Sequence, residues 1–217
     1  MNNTDTIKYL QERDSSRSAL FEEMEQTACK DKVPIIEYSS LEVIKQLIAV
    51  HGGGRVLEIG TAIGYSALQI VSASRSRFVL SIEKDKGRFE QALKFRDRSD
   101  FKGQTEFIFG DALDKTFLLE KYSPFDVLFI DAAKGKNQSF FTSFTPYLSD
   151  GGMVITDNVL FKGYTVQPES APKRLQPMVK KIQEYNDWLM SLPDFTTRIL
   201  PVGDGLAVSV HKGRKKL

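Results

Sequence analysis

The pattern of apolar and polar positions changes character near residue 50. Before it, Leu41, Val43, Ile44, Leu47 and Ile48 recur at helical spacing and leave Glu42 and Lys45 outside, while Asp14-Ser15-Ser16 and Ser39-Ser40 read as helix caps. After it, short apolar runs alternate with helical stretches. Residues 55–59 predict a strand, 66–72 a helix, 78–82 a strand, 86–98 a helix and 106–109 a strand. Two further apolar runs, 125–130 and 153–156, read as strands. Alternation of this kind predicts an α/β chain with a mostly parallel central sheet and helices on both faces. From residue 163 the chain turns polar around Pro168, Pro172 and Pro177, a proline density expected of a covering loop. A helix over about 178–190, carrying Tyr185 and Trp188, follows. Strands over 198–202 and 206–210, joined through Gly203-Asp204-Gly205, predict a C-terminal antiparallel hairpin.

With 217 residues, 41% of them hydrophobic, the chain is expected to form a single domain over 1–217: a helical segment over 1–50, then an α/β core over 55–217. No apolar stretch reaches bilayer length, and the opening Met-Asn-Asn-Thr-Asp-Thr-Ile-Lys has no signal-peptide pattern. A cytoplasmic protein with no membrane partner is expected. The lone Cys29 allows neither an internal disulfide nor a cysteine-rich metal site. Net charge is only +2, but basic residues gather late, at Lys162, Lys173, Arg174, Lys180 and Lys181 and in the tail from His211 to Lys216. On pattern alone a solvated face is the plainer reading of that cluster.

Candidate chemistry falls at the strand ends. The run 125–130 stops at Asp131 and the run 153–156 stops at Asp157-Asn158. Carboxyl ends of parallel strands open onto the ligand crevice, so three oxygen donors there suit a hard divalent cation. The first strand turns through Glu58-Ile59-Gly60-Thr61-Ala62-Ile63-Gly64. This glycine turn lacks both the G-x-G-x-x-G spacing and a phosphate-loop lysine. The second strand leads into Glu83, an acceptor for ribose hydroxyls, and the third into Gly110-Asp111-Ala112, a small-residue turn with room for a base. Glycine turn, ribose acid and base turn occur in the order of a nucleoside site. Glu83 and Asp111 read singly as helix caps, and less well so together.

Val56 to Ser66 resembles the first motif of class I S-adenosylmethionine-dependent methyltransferases, whose Rossmann-like fold agrees with the element order. Glu83, Asp111, Asp131 and Asp157-Asn158 are similar to the corresponding positions of the cation-dependent O-methyltransferases of the catechol and caffeoyl-CoA type. Four segments, 33–36, 131–135, 156–163 and 201–206, resemble the bacterial branch that methylates 5-hydroxyuridine in tRNA. The resemblance implies magnesium, or another divalent cation, at Asp131, Asp157 and Asn158. It also implies S-adenosylmethionine at Ile36, Glu58, Gly60, Gly64, Ser66, Glu83, Asp111, Ala112 and Asp131. Lys134 matches the proposed general base of the catechol enzymes, and a merely orienting lysine is an equal reading. Ala132 and Ala133 stand where those enzymes carry a histidine and a tryptophan, which widens the mouth of the site.

The implied reaction is methylation of 5-hydroxyuridine at the tRNA wobble position to 5-methoxyuridine. The catalytic set is then Asp131, Lys134, Asp157 and Asn158, and Lys162, Lys173, Arg174, Lys180 and Lys181 are candidates for the anticodon loop. Tyr164 is a candidate stacking residue. A homodimer is expected, as is common in the family. Two other readings stay open: a small-molecule O-methyltransferase acting on catechol-like vicinal diols, and a nucleoside-binding regulatory module without activity.

Overall fold

The computed structural model describes residues 3–13, 18–73, 77–132 and 134–213. Its elements run in the order α1 (Asn3–Gln11), α2 (Ala19–Asp31), α3 (Tyr38–His51), β1 (Arg55–Ile59), α4 (Tyr65–Ser72), β2 (Phe78–Glu83), α5 (Lys86–Arg98) and β3 (Thr105–Phe109). There follow β4 (Phe125–Ile130), α6 (Asn137–Phe144), β5 (Leu148–Thr156), α7 (Gln176–Ser191), β6 (Phe195–Leu200) and β7 (Leu206–His211). Seven strands form one sheet in the order β3-β2-β1-β4-β5-β7-β6. Strands β1 to β5 pair in parallel, and the hairpin β6–β7 joins through β7, antiparallel to β5. This is the α/β architecture expected of the alternating pattern.

Side chains on successive strand residues point to opposite faces, and the core divides accordingly. Val56, Val79, Val127, Phe129 and Ile155 pack with Leu41, Ile44, Leu68 and Phe95 on one face. Leu57, Ile59, Leu80, Leu128 and Val154 pack with Phe140, Phe144, Tyr185 and Leu189 on the other.

Several local expectations are corrected. Helix α3 starts at Tyr38 with Glu37 as its N-cap, so Ser39 and Ser40 lie inside the helix and Ser40 is buried. Lys45 is buried rather than outside, its ammonium 2.5 Å from Glu42 Oε1. Its aliphatic stem packs like an apolar side chain while the charge is paired. Asp14-Ser15-Ser16 lies outside the described residues, and the cap of α2 is Ser18, whose Oγ accepts from the Phe21 N–H. The first hairpin strand runs from Phe195 to Leu200 and ends before Pro201, which has no N–H for a ladder. Its start is set by Phe195, which packs edge-on against Phe141 and His211.

One polar cluster ties β1, β2 and α4 together beneath the sheet's ligand end. The Glu58 carboxylate is fully buried and accepts from the hydroxyls of Ser66 in α4 and Ser81, its register partner in β2. Burial pushes the Glu58 carboxyl from its ordinary 4.5 up to about 7, against the pull of the two serine hydrogen bonds, and the negative charge of Glu83 adds to the rise. A carboxyl whose folded value is raised favours the native state below its unfolded value and loses that advantage as pH climbs through the folded one. Replacement by a neutral isostere, Glu58→Gln, is therefore expected to stabilise the protein more at pH 8 than at pH 5. The difference approaches about 3 kcal/mol at most, by conversion of the shift. Urea denaturation of both proteins at the two pH values checks this, and an equal effect at both would rule out Glu58 as the titrating group.

Candidate functional site

The ligand-facing residues are fixed because the hydrogen-bond ladder continues one residue past the strand ends. The Gly60 N–H donates to the Ile82 carbonyl at 3.0 Å, Asp131 to Ile59 at 3.0 Å, Asp157 to Ile130 at 3.1 Å and Gly110 to Glu83 at 2.8 Å. At Gly60 (φ 104°) a Cβ would lie 2.3 Å from the Asp131 carbonyl oxygen. Only glycine permits that approach in that conformation. The order β2-β1-β4 makes the gap between β1 and β4 a topological switch point, where open parallel sheets bind ligands.

A cavity of about 550 Å³ opens there. It brings together Ile36, Gly60, Glu83, Asp111, Ala112, Asp131, Asp157 and Asn158, all singled out from the sequence. Glu58, Gly64 and Ser66 do not line it. Glu58 and Ser66 are bonded to each other underneath, and a Cβ on Gly64 would meet the Phe107 ring at 3.2 Å. They support the glycine turn from below. Lys134 opens a short 3-10 turn, Lys134–Lys136, but its side chain, like Ala133, lies outside the described residues. Lys162, Lys173, Arg174, Lys180 and Lys181 are exposed and do not line the cavity, nor does any part of the proline-containing segment 164–175.

Both oxygens of Glu83 hold backbone groups: Oε2 accepts from the Ala62 N–H and Oε1 from the Asp85 N–H, each at 2.8 Å. Each keeps further acceptor capacity. Asp111 Oδ1 accepts from the Leu113 N–H at 3.1 Å, and Oδ2 accepts from Lys136 Nζ at 3.1 Å. These two donors, the backbone one first, hold the Asp111 carboxyl below its ordinary range. Lys136, Lys84, Arg88 and Asp204 also line the cavity and were not singled out as site residues from the sequence. The only signal for the two earlier cations is their nearness to Glu83. Lys136 had a signal in its place two residues after Lys134, and Asp204 read as a turn residue.

The second half of the cavity is made by the chain after β5. Asn158, Phe161 and Lys162 have φ of 60°, 43° and 58°, three of the five non-glycine residues with positive φ among the described residues. Such conformations cost roughly 1–3 kcal/mol each and persist only when their surroundings dictate them. The hairpin turn supplies part of that constraint. Val159 N–H donates to the Gly205 carbonyl at 3.0 Å, and the Leu160 and Phe161 N–H groups donate to the Asp204 carbonyl at 2.8 and 3.1 Å. The Lys162 N–H donates to Asp204 Oδ1 at 3.2 Å. Among the described residues no three His, Cys, Asp or Glu side chains are grouped to hold a metal ion. The three oxygen donors read from the sequence, the carboxylates of Asp131 and Asp157 and the amide of Asn158, all line the cavity, along with the carboxylates of Glu37, Glu83, Asp111 and Asp204. An all-oxygen set of that charge fits a hard cation such as Mg²⁺, which keeps several waters, and does not fit a soft metal.

Comparison with known proteins gives consistent likenesses. A Staphylococcus aureus protein assigned as a caffeoyl-CoA O-methyltransferase has a structure matching with a TM-score of 0.88 at 37% identity, over 97% of this chain and 99% of that one. An O-methyltransferase from Bacillus cereus, solved in complex with SAH, matches with a TM-score of 0.82 at 25% identity, over 94% of this chain and 96% of that one. Caffeoyl-CoA O-methyltransferase of Populus kitakamiensis is 27% identical over 182 residues, covering 81% of this chain and 76% of the relative. The family model described as O-methyltransferase matches residues 11–212, nearly the whole chain, and the protein belongs to that family.

Proposed function

We propose that this protein transfers a methyl group from S-adenosylmethionine to the 5-hydroxyl of 5-hydroxyuridine at the tRNA wobble position, giving 5-methoxyuridine, with a divalent cation, Mg²⁺ in the first place, at Asp131, Asp157 and Asn158. The likeness to an O-methyltransferase solved with SAH supports the cofactor. The observation that carries the acceptor is the small side chain of Ala132 at the cavity wall, which leaves room for a base attached to a polymer. Exposed Lys162, Lys173, Arg174, Lys180 and Lys181, on the segment after the Asp157-Asn158 corner, supply charge suited to flanking phosphates.

S-adenosylmethionine supplies an activated methyl group, and a bound divalent cation supplies a template for the acceptor oxygen and lowers the pKa of its hydroxyl. The chain's own residues set the geometry. Glu83 receives the ribose hydroxyls, Asp111 and Ala112 border the base, and Gly60 lets the donor approach the strand ends. Asp131 belongs to both halves of the site, because its backbone abuts Gly60 while it lines the cavity with Asp157 and Asn158. Residues proposed for the donor side (Gly60, Glu83, Asp111) and for the acceptor side (Asp131, Asp157, Asn158) line one cavity at the β1–β4 gap, so both substrates would be held beside each other there. The 5-hydroxyl and 4-carbonyl of the uracil are vicinal oxygens, the pair that a cation held by Asp131, Asp157 and Asn158 would take as a chelate. A second reading, methylation of a small catechol-like vicinal diol, is favoured by the likeness to caffeoyl-CoA O-methyltransferases.

Incubation with labelled S-adenosylmethionine, Mg²⁺ and tRNA carrying 5-hydroxyuridine is expected to label the RNA, with Asp157→Ala reducing the rate at least about 10³-fold. Labelling of caffeoyl-CoA but not of tRNA would transfer the assignment to the second reading. Charge reversal at Lys173 and Arg174 to Glu is expected to raise KM for tRNA roughly tenfold and to leave cofactor affinity, measured by calorimetry, intact. Lys134→Met is expected to lower kcat about 10²-fold, with a rate that keeps rising with pH as the acceptor hydroxyl deprotonates unaided. An effect confined to KM would make Lys134 an orienting residue and not the base.

A further inference from the structure

The corner that carries Asp157 and Asn158 is held on two sides. The hairpin turn holds it through Asp204 and Gly205, as described above. On the other side stands α7, which reaches it at three points. Tyr185 Oη and Thr156 Oγ1 are hydrogen-bonded at 2.9 Å, immediately before Asp157. Asn186 Nδ2 donates to the Val159 carbonyl at 2.9 Å, immediately after Asn158. Gln183 Nε2 donates to the Thr165 carbonyl at 2.9 Å, where the segment leaves the corner. Three side chains within one turn of a helix thus bracket a segment that contains three strained residues. Strain at that density requires external anchors.

Asn186 is the central anchor, and its amide can stand only one way round. A flip would set Oδ1 against the Val159 oxygen, acceptor against acceptor. In the observed orientation Oδ1 is buried with no hydrogen-bond partner, so the side chain forgoes one bond to make the other. Buried polar atoms are normally satisfied, and an exception calls for a local explanation. A residue serving only the stability of α7 would be better as leucine, which has the same shape and no orphan acceptor. The hydrogen bond that the amide does make is the one to the corner.

We propose that Asn186, seconded by Gln183 and Tyr185, is a positioning residue for the acceptor half of the site: through the Val159 carbonyl it fixes the backbone that aims Asp157 and Asn158 into the cavity. This rests on reading those two side chains as acceptor-side ligands. It makes α7 part of the reaction machinery although none of the three anchors lines the cavity.

The test uses the full chain with Asn186→Leu. Hydrogen exchange is expected to quicken at least tenfold in peptides covering 157–165, with peptides of β1, β2 and β4 unchanged and the thermal midpoint held. Mn²⁺ affinity, read by electron paramagnetic resonance, is expected to fall about tenfold, while SAH affinity by calorimetry stays within twofold. Gln183→Leu, at the anchor farther from Asp157 and Asn158 along the chain, is expected to give the same pattern more weakly. Unchanged exchange over 157–165 in both variants would overturn the proposal, and so would faster exchange spread over the whole chain with a lowered midpoint, which is the mark of a purely structural residue. A wild-type protein that binds no Mn²⁺ would sink the cation reading alone, because the exchange measurement decides the role of Asn186 without a metal.

Discussion

The site depends on one constraint, the contact between the turn after β1 and the end of β4. Gly60 comes so close to the Asp131 carbonyl that no other residue fits. The same two residues are pinned in register, Gly60 to Ile82 and Asp131 to Ile59. A one-residue slip of β4 or β5 would turn that strand's side chains to the opposite face and move its functional residue out of place. Register at the centre of this sheet is enforced by apolar side chains on both faces, since β1, β2, β4 and the end of β5 are covered on both sides. Placement of Asp131 and Asp157 is thus a consequence of core packing at Val127, Phe129, Val154 and Ile155, all buried. The chemistry inherits its precision from residues that take no part in it.

What the sequence made legible follows from the same fact. Strands buried on both faces read as apolar runs, and where the run stops the first polar residue is the one presented at the crevice. Asp131, Asp157, Glu83 and Asp111 were visible for that reason. The residues that stayed hidden are those whose role depends on contacts far apart in the chain. Ser81 became a partner of Glu58 only through the β1–β2 register, and Asp204 met the Asp157-Asn158 corner only through the crossing of the hairpin. Lys45 misled because spacing reports the head group and not the stem that packs. The early boundary of β6 was missed because tertiary contacts of Phe195 outweighed the local signal of the run at 198–202.

The two halves of the cavity are built in different ways, and the difference bears on how they work. The donor half comes from the parallel strands β1, β2 and β3 and the turns directly after them, where each side chain is one residue from a ladder hydrogen bond. Such a half is rigid before any ligand arrives. The acceptor half is a strained corner after β5, kept in shape by side chains of α7 and by the turn of the hairpin. Its geometry costs conformational energy that only those later elements offset.

That division separates what is general from what is particular. A donor common to many acceptors is served by a pocket fixed by sheet geometry, which tolerates little change. Acceptors differ, and the corner that meets them is held by backbone bonds to the hairpin turn together with side-chain hydrogen bonds, from α7 and Asp204, that can be exchanged without disturbing the ladder. Helix α7 carries the exposed Lys180 and Lys181 within two turns of its anchors to the corner. On the proposed reading, the helix that orients the ligands therefore also presents charge to the strand that brings the base. A substrate held by its phosphates is then referenced to the same rigid body as the oxygen donors, so the distance between the docked polymer and the reacting hydroxyl is set by one helix and does not accumulate error across independent loops.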